Sequence, residues 1–359
     1  MTIVQATREY EAWLAKQIPI IKADLVAKHQ HMAADPFSFL RATFYRWMQL
    51  WPEHCKDCSG APIVLGVGDL HVENYGTWRD IEGRLIWGIN DFDEAFPLPY
   101  TVDLVRLATS AWLAIELEHL TIAPEDATAA ILDGYVTALS AGGLPFVLSE
   151  QHVWLRDAVT GKLRDPVVFW QKISALPSLQ RVPKPVLALL RSAMPEKNVE
   201  FRVAHRQAGL GSLGRERYTA VADWRGGKIA REAKALLPSA CAWAGLGSSD
   251  TRIHYSEIVS RSSRAADPFL VRKGDWILRR LSPFCSRMEL SALPRSRDEE
   301  KLLWGMGREL GNVHLGTRGA APRILSDLDG RKAKWLRRAT AAMTAATLSD
   351  WKAWKKHGR

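Results

Sequence analysis

The stretch from Gly66 to Leu107, GVGDLHVENYGTWRDIEGRLIWGINDFDEAFPLPYTVDLVRL, constrains this chain more than any other. The apolar run Ile63-Val64-Leu65 leads into it, and a second run, Leu85-Ile86-Trp87-Gly88-Ile89, leads into Asp91. Each reads as a short buried strand that ends in polar residues. Strand ends are where a rigid scaffold presents working groups on loops. Six of its acids could matter, Asp69, Glu73, Asp91, Asp93, Glu94 and Asp103, together with one well-placed amide, Asn74.

The chemistry of such a set is narrow. Carboxylates and an amide oxygen are hard ligands suited to Mg²⁺, and a further carboxylate can orient a hydroxyl and accept its proton. Phosphoryl transfer needs both. Gly68-Asp69-Leu70-His71-Val72-Glu73-Asn74 resembles the G-D-x-H-x-x-N catalytic loop of aminoglycoside phosphotransferases and choline kinases. Ile89-Asn90-Asp91-Phe92-Asp93-Glu94-Ala95 is similar to their metal-binding segment, with one residue inserted before the acid, and Asp103-Leu104 matches the pair that opens the next helix and buttresses the loop. The resemblance implies Asp69 as base, with His71 and Asp93 in the catalytic set. It implies Asn74 and Asp91 as Mg²⁺ ligands and a structural role for Asp103.

A second segment, Gly209-Leu210-Gly211-Ser212-Leu213-Gly214, is followed by two alternating runs around a Trp224-Arg225-Gly226-Gly227 turn. A dinucleotide fold would place such glycines between a strand and a helix; here a β-hairpin follows. Glycines, a hairpin and then a lysine describe the phosphate-covering loop of kinases. Gly209, Gly211, Ser212 and Gly214 are the candidate nucleotide contacts. Lys234 is the candidate for the α/β-phosphates, with Arg231, on the opposite strand face, as its competitor. Glu257 is the best-placed acid to pair with the lysine. Trp276 to Leu281 reads as a strand leading to a hinge. The helix Leu302–Leu315 resembles the L-x-x-L-H helix that precedes the catalytic loop in phosphotransferases, with His314 as a structural residue.

The order of these parts differs from that of ordinary kinases, where the glycine loop and lysine come first. Joining the C-terminal region to the N-terminal one would restore it, and surface termini permit such rearrangement. The expected fold is therefore α+β: a protein-kinase-like, two-lobe, circularly permuted arrangement. Residues 1–200 would form the helical region with the catalytic and metal loops, 201–290 the sheet region, and 291–359 the helices that complete the helical lobe. Together with Asp35-Pro36-Phe37-Ser38-Phe39-Leu40-Arg41, this arrangement resembles the bacterial domain-of-unknown-function 2252 family. The resemblance implies ATP and Mg²⁺ as cofactors and carries no substrate; the acceptor would be a small-molecule or protein hydroxyl. Adenylyl transfer and non-catalytic nucleotide binding are the alternatives.

Composition bounds the remaining classes. The 359 residues, 47% of them hydrophobic, suffice for two lobes with their own cores. No apolar run approaches the ~18–20 residues that span a bilayer, and the first residues lack a signal-peptide core, so a cytoplasmic protein without a membrane partner is expected. Cys55-Lys-Asp-Cys58 has no second pair to complete a zinc site, and free thiols are expected. The net charge of +10 is spread along the chain, densest between Arg331 and Arg359, without an aromatic-basic motif. A solvated helix face accounts for it, and nucleic acid is not an expected partner.

Overall fold

The computed structural model describes residues 1–148, 151–159, 165–245, 250–285, 287–290 and 298–357. Within them the chain begins with helices α1 (Ile3–Ala15), α2 (Lys22–Ala34), α3 (Pro36–Ala42) and α4 (Phe44–His54). Strands β1 (Ile63–Gly66), β2 (Tyr75–Arg79), β3 (Leu85–Ile89) and β4 (Phe96–Pro99) follow, then helices α5 (Tyr100–Glu116) and α6 (Pro124–Ala141). After β5 (Phe146–Val147), helices α7 (Val153–Val159), α8 (Pro166–Ser174) and α9 (Lys184–Ser192) lead to β6 (Arg202–His205), β7 (Arg217–Trp224) and β8 (Gly227–Ala235). Helices α10 (Ala240–Trp243) and α11 (Tyr255–Arg261) precede β9 (Val271–Lys273) and β10 (Trp276–Leu281). Helices α12 (Glu299–His314), α13 (Ala320–Asp329) and α14 (Trp335–His357) complete the chain.

Local signals explain several boundaries. Pro19 lies in the break between α1 and α2. Asp35 caps α3 by accepting from the Ser38 amide at 2.7 Å, with Pro36 in the first turn; such a cap stabilises by ~1 kcal/mol. The aromatic run from Phe37 to Trp51 forms two helices, α3 and α4, broken at Thr43, whose φ of −125° and ψ of 39° leave the helical region. The β7–β8 hairpin turns on Arg225-Gly226, both with positive φ, as a two-residue loop of this hand demands.

The strands form three antiparallel sheets: β1-β4, β2-β3-β5, and a five-stranded sheet in the order β6-β7-β8-β10-β9. The main core draws on residues from α1, from α3 through α6 and from α12 and α14. Helices α6 and α12 meet backbone to backbone: a Cβ at Gly307 would lie 1.9 Å from the Ile131 carbonyl oxygen. This close approach seats α12 deep in the core and carries Glu309 and His314 to full burial.

Alternation along the five-stranded sheet separates two faces. Ala220, Ala222, Ala233 and Leu278 face outward and are covered by Val186 and Leu190 of α9. Val221, Ala230 and Leu281 face inward at one end, beneath Ile173 of α8. Helices α8 and α9, which the division at residue 200 assigns to the helical region, thus pack on the sheet, whose apolar faces they bury. Residues 291–297, where the last division begins, lie outside the described residues. Among the described residues no helix is long and apolar enough to cross a membrane. All four cysteines are free, three of them buried.

Candidate active site

Strand β1 delivers the chain to a loop whose backbone is fixed from behind. The fully buried Asp103, in the first turn of α5, accepts from the Val67 amide at 2.7 Å and the Gly68 amide at 2.9 Å. His314 Nε2 donates to the same carboxylate at 3.0 Å, and the Tyr135 hydroxyl bonds His314 Nδ1 at 2.8 Å. Hydrogen bonds to a buried charge contribute ~1.5–3 kcal/mol each. Asp103 and His314 therefore hold the loop in place from the core rather than reaching the cleft.

In front of this support the Asp69 carboxylate is engaged by Arg106, whose Nε donates to Oδ1 at 3.1 Å. Burial pushes the Asp69 carboxyl above its ordinary range even though Arg106 opposes the rise. Gly211 closes over the other oxygen: a Cβ there would lie 3.1 Å from Asp69 Oδ2 and 3.1 Å from the Arg41 carbonyl oxygen. Only a residue without a side chain lets the loop come this near.

Asn74 is oriented by two backbone carbonyls. Its Nδ2 donates to Asp69 O and Asp91 O, both at 3.2 Å, which leaves the amide oxygen as the acceptor available to a cation. His71 Nδ1 accepts from the Glu73 amide at 3.2 Å. Burial first, then Arg41 and Arg287, hold its imidazole well below the usual range, so His71 is a neutral ring that fixes the turn.

The inward face of the five-stranded sheet approaches these loops. Lys234, on β8, ion-pairs with Asp93 and lies 3.4 Å from Asp91 Oδ2. Two residues away on the same face, the Glu232 carboxylate takes Arg206 Nε at 2.9 Å, Arg217 Nη1 at 2.6 Å and Arg279 Nε at 2.8 Å. Burial would raise this carboxyl, but the three guanidinium groups hold it well below its usual range. Burial and the neighbouring Asp91 charge push Asp93 up; Asp91 is kept low, against its own burial, chiefly by Lys234.

The result is a cleft with about 450 Å³ of empty volume, lined by Asp69, His71, Asn74, Asp91 and Asp93 on one side and by Gly209, Gly211 and Ser212 on the other. Gly214 is not in this lining: its carbonyl accepts from the Ile21 amide at 3.0 Å, at the start of α2. Arg231 points away from the cleft and donates to the Ala193 carbonyl at 2.9 Å, which leaves Lys234 as the strand's cation in the site. The structure does not bring Glu257 to Lys234; Glu257 bonds His254 and Arg261 instead.

Sequence reasoning missed the arginines. Arg106 lies one helical turn after Asp103, Arg215 directly follows Gly214, and Arg41 ends the Asp35–Arg41 motif. Those positions were the available signal. Arg215 Nη2 bonds Glu94 at 2.9 Å, and Arg41 Nη1 bonds Glu73 at 2.7 Å.

A Mg²⁺ ion suits this donor set. Among the described residues no three His, Cys, Asp or Glu side chains converge as a closed metal site. Mg²⁺ is instead typically bound by one or two carboxylates plus substrate phosphates. Asp91, Asp93 and the Asn74 oxygen are the residues that could hold such an ion, and the Lys234 ammonium resides against both carboxylates.

Residues 21–143 match the family model described as an uncharacterized protein conserved in bacteria (DUF2252). The matched part contains Asp69, Asn74, Asp91, Asp93 and Asp103; the glycine segment and Lys234 lie beyond it. No curated protein and no solved structure matches this chain.

Proposed function

We propose that this protein is an ATP- and Mg²⁺-dependent phosphotransferase with a circularly permuted, kinase-like fold, acting on a hydroxyl acceptor. The observation that carries this reading is the ion pairing of Lys234 with Asp91 and Asp93 across the cleft. A glycine turn between the first two strands of an antiparallel sheet, a lysine on the third and a helix after it are the parts with which kinases hold nucleotide phosphates. Here they are Gly209–Ser212, Lys234 and α11. One part differs: the partner of Lys234 is Asp93 rather than Glu257.

The contacts support the following roles. The Gly211 amide would face phosphate oxygens, and Lys234 would offer a point charge. Asn74, Asp91 and Asp93 would hold Mg²⁺, which when bound neutralises charge on the transferred group. Arg106 fixes Asp69 through one oxygen, so the other can align the acceptor hydroxyl and take its proton. The bond from the acceptor oxygen to the γ-phosphorus forms as the β–γ bridging bond breaks, and ADP departs with that bond's electron pair.

Calorimetric titration with ATP in the presence of Mg²⁺, followed by product analysis against a metabolite panel, tests this reading. ADP release that depends on Asp69 and Asp91 supports it. Pyrophosphate release would identify adenylyl transfer, and nucleotide binding without either product a non-catalytic scaffold. Activity unchanged in both Asp69→Asn and Asp91→Ala would refute the assignment.

A further inference from the structure

The charges around the cleft nearly cancel in pairs. Asp69 is matched by Arg106, Glu73 by Arg41, Glu94 by Arg215, which also reaches Asp93 at 3.7 Å, and the Asp91/Asp93 pair by Lys234. Two things remain. One is the second negative charge of the Asp91/Asp93 pair, which suits a metal. The other is Arg287, for which no ion pair or side-chain hydrogen bond is formed among the described residues.

Arg287 is firmly placed. It bridges Gly76 of β2, and the next residue's amide, Met288 N, donates to Tyr75 O at 2.7 Å. Its side chain lines the cleft and also a second cavity of about 440 Å³, open to solvent, that shares lining residues with it. Arg41 lines both as well, as do Gly209 and Leu210; His31 and Ser38 line the second space alone. Arg41 is 9% exposed, and its Nε is buried without a partner. Arg287 and Arg41 thus line both spaces, and Asp69 lines the first. Burial and the nearby Arg41 push Arg287 down to about 10, a cost that a bound anion would relieve. Glu73 does not serve, being taken by Arg41 Nη1 and the Leu290 amide, and Glu289 is exposed at the rim.

We infer that the second cavity is the acceptor subsite and that the acceptor carries a compact oxyanion, a carboxylate or a phosphate, held by Arg287 and Arg41 with its hydroxyl directed to Asp69. Guanidinium groups match such oxyanions through paired donors. The transfer step rests on the phosphotransferase reading; binding of the oxyanion does not.

The test uses three probes that share a hydroxylated three-carbon frame: glycerol, glycerate and glycerol 3-phosphate. Each is titrated calorimetrically without nucleotide, and Mg–ATP is titrated separately. One or both acids should bind where glycerol does not, and which of them binds tells carboxylate from phosphate. Arg287→Gln should weaken acid binding at least tenfold and leave the Mg–ATP affinity unchanged. Arg287→Lys, which keeps the charge, should recover part of the loss, and a melt of each variant checks folding. Acids that bind no better than glycerol would overturn the inference. So would an Arg287→Gln variant that loses Mg–ATP to the same extent, because Arg287 would then be a nucleotide contact. Acid binding by a protein that does not take Mg–ATP would refute the acceptor role and the phosphotransferase reading together, and leave an oxyanion site alone.

Discussion

Lys234 Nζ lies 3.4 Å from Asp91 Oδ2, although 143 residues of chain separate them. The ammonium thus holds two carboxylates together in a site where its own side chain is 4% exposed. Removing one partner of a buried ionic cluster costs ~3–5 kcal/mol. Lys234→Met should therefore melt at lower temperature, with a larger loss at pH 8 than at pH 5, because protonation relieves the repulsion between Asp91 and Asp93. Added Mg²⁺ should restore more stability to the variant than to the wild type, where the ammonium competes for the same oxygens. Thermal melts with and without Mg²⁺ check this; an equal Mg²⁺ response in the two proteins would count against a shared cation position.

Asp69 carries the proton-accepting role in the proposed reaction. Positioned general bases contribute ~10²–10⁴-fold in rate. Asp69→Asn should lower ADP formation by that order while the Mg–ATP dissociation constant changes by less than about threefold, since the substitution leaves Lys234 and the glycine loop untouched. Steady-state ADP release and calorimetry on the same preparation give both numbers. A loss confined to nucleotide affinity would reassign the residue.

Gly211 presses its backbone against Asp69 and the Arg41 carbonyl, with a Cβ position 3.1 Å from each. The carbonyl is main chain and cannot swing aside, so Gly211→Ala has to lift the loop. Overpacking of this kind costs ~1–3 kcal/mol, and displacement of reacting groups by about 1 Å can cost ~10²-fold in rate. The variant should stay folded by circular dichroism and lose turnover. Wild-type turnover would mean that the loop does not close on the reacting groups.

Glu309 on α12 is buried against β3, where its carboxyl accepts from the Ile89 amide at 3.3 Å and from Asn312 Nδ2 at 3.0 Å. Burial pushes it up from 4.5 to about 7, against the opposing pull of Arg264. The folded protein therefore holds a proton that the unfolded chain releases at lower pH, and stability falls as pH rises from 4.5 through 7. With each unit worth about 1.4 kcal/mol, the loss is on the order of 3 kcal/mol. Glu309→Gln removes this titration. Relative to wild type, the variant should gain by that order between pH 4.5 and pH 8 in urea denaturation, and an unchanged difference at the two pH values would refute it.

The parts legible in the sequence were those with local causes. Asp35 and Pro36 mark a helix start, the Arg225-Gly226 turn marks a hairpin, and the apolar runs before Asp69 and Asp91 mark strands β1 and β3. Strand β2 was not legible, because Tyr75 to Trp78 are buried on both sides and show no alternation. Strand β4 carries two prolines and pairs only with β1 at the edge of a two-stranded sheet. The arginines of the site were hidden for another reason: local sequence does not separate a guanidinium folded onto a buried carboxylate from one in water. The choice between Arg231 and Lys234 rests on parity alone. It was decided once the register paired Lys234 with Arg217 and Ile277 on the inward face.

That parity limits how the protein can change. Each residue of β8 between Ala230 and Ala235 presents its side chain opposite to the next, so inserting or deleting one residue would exchange the ammonium for a methyl group and turn Glu232 away from its three arginines. Length variation in this strand is therefore tolerable only in steps of two.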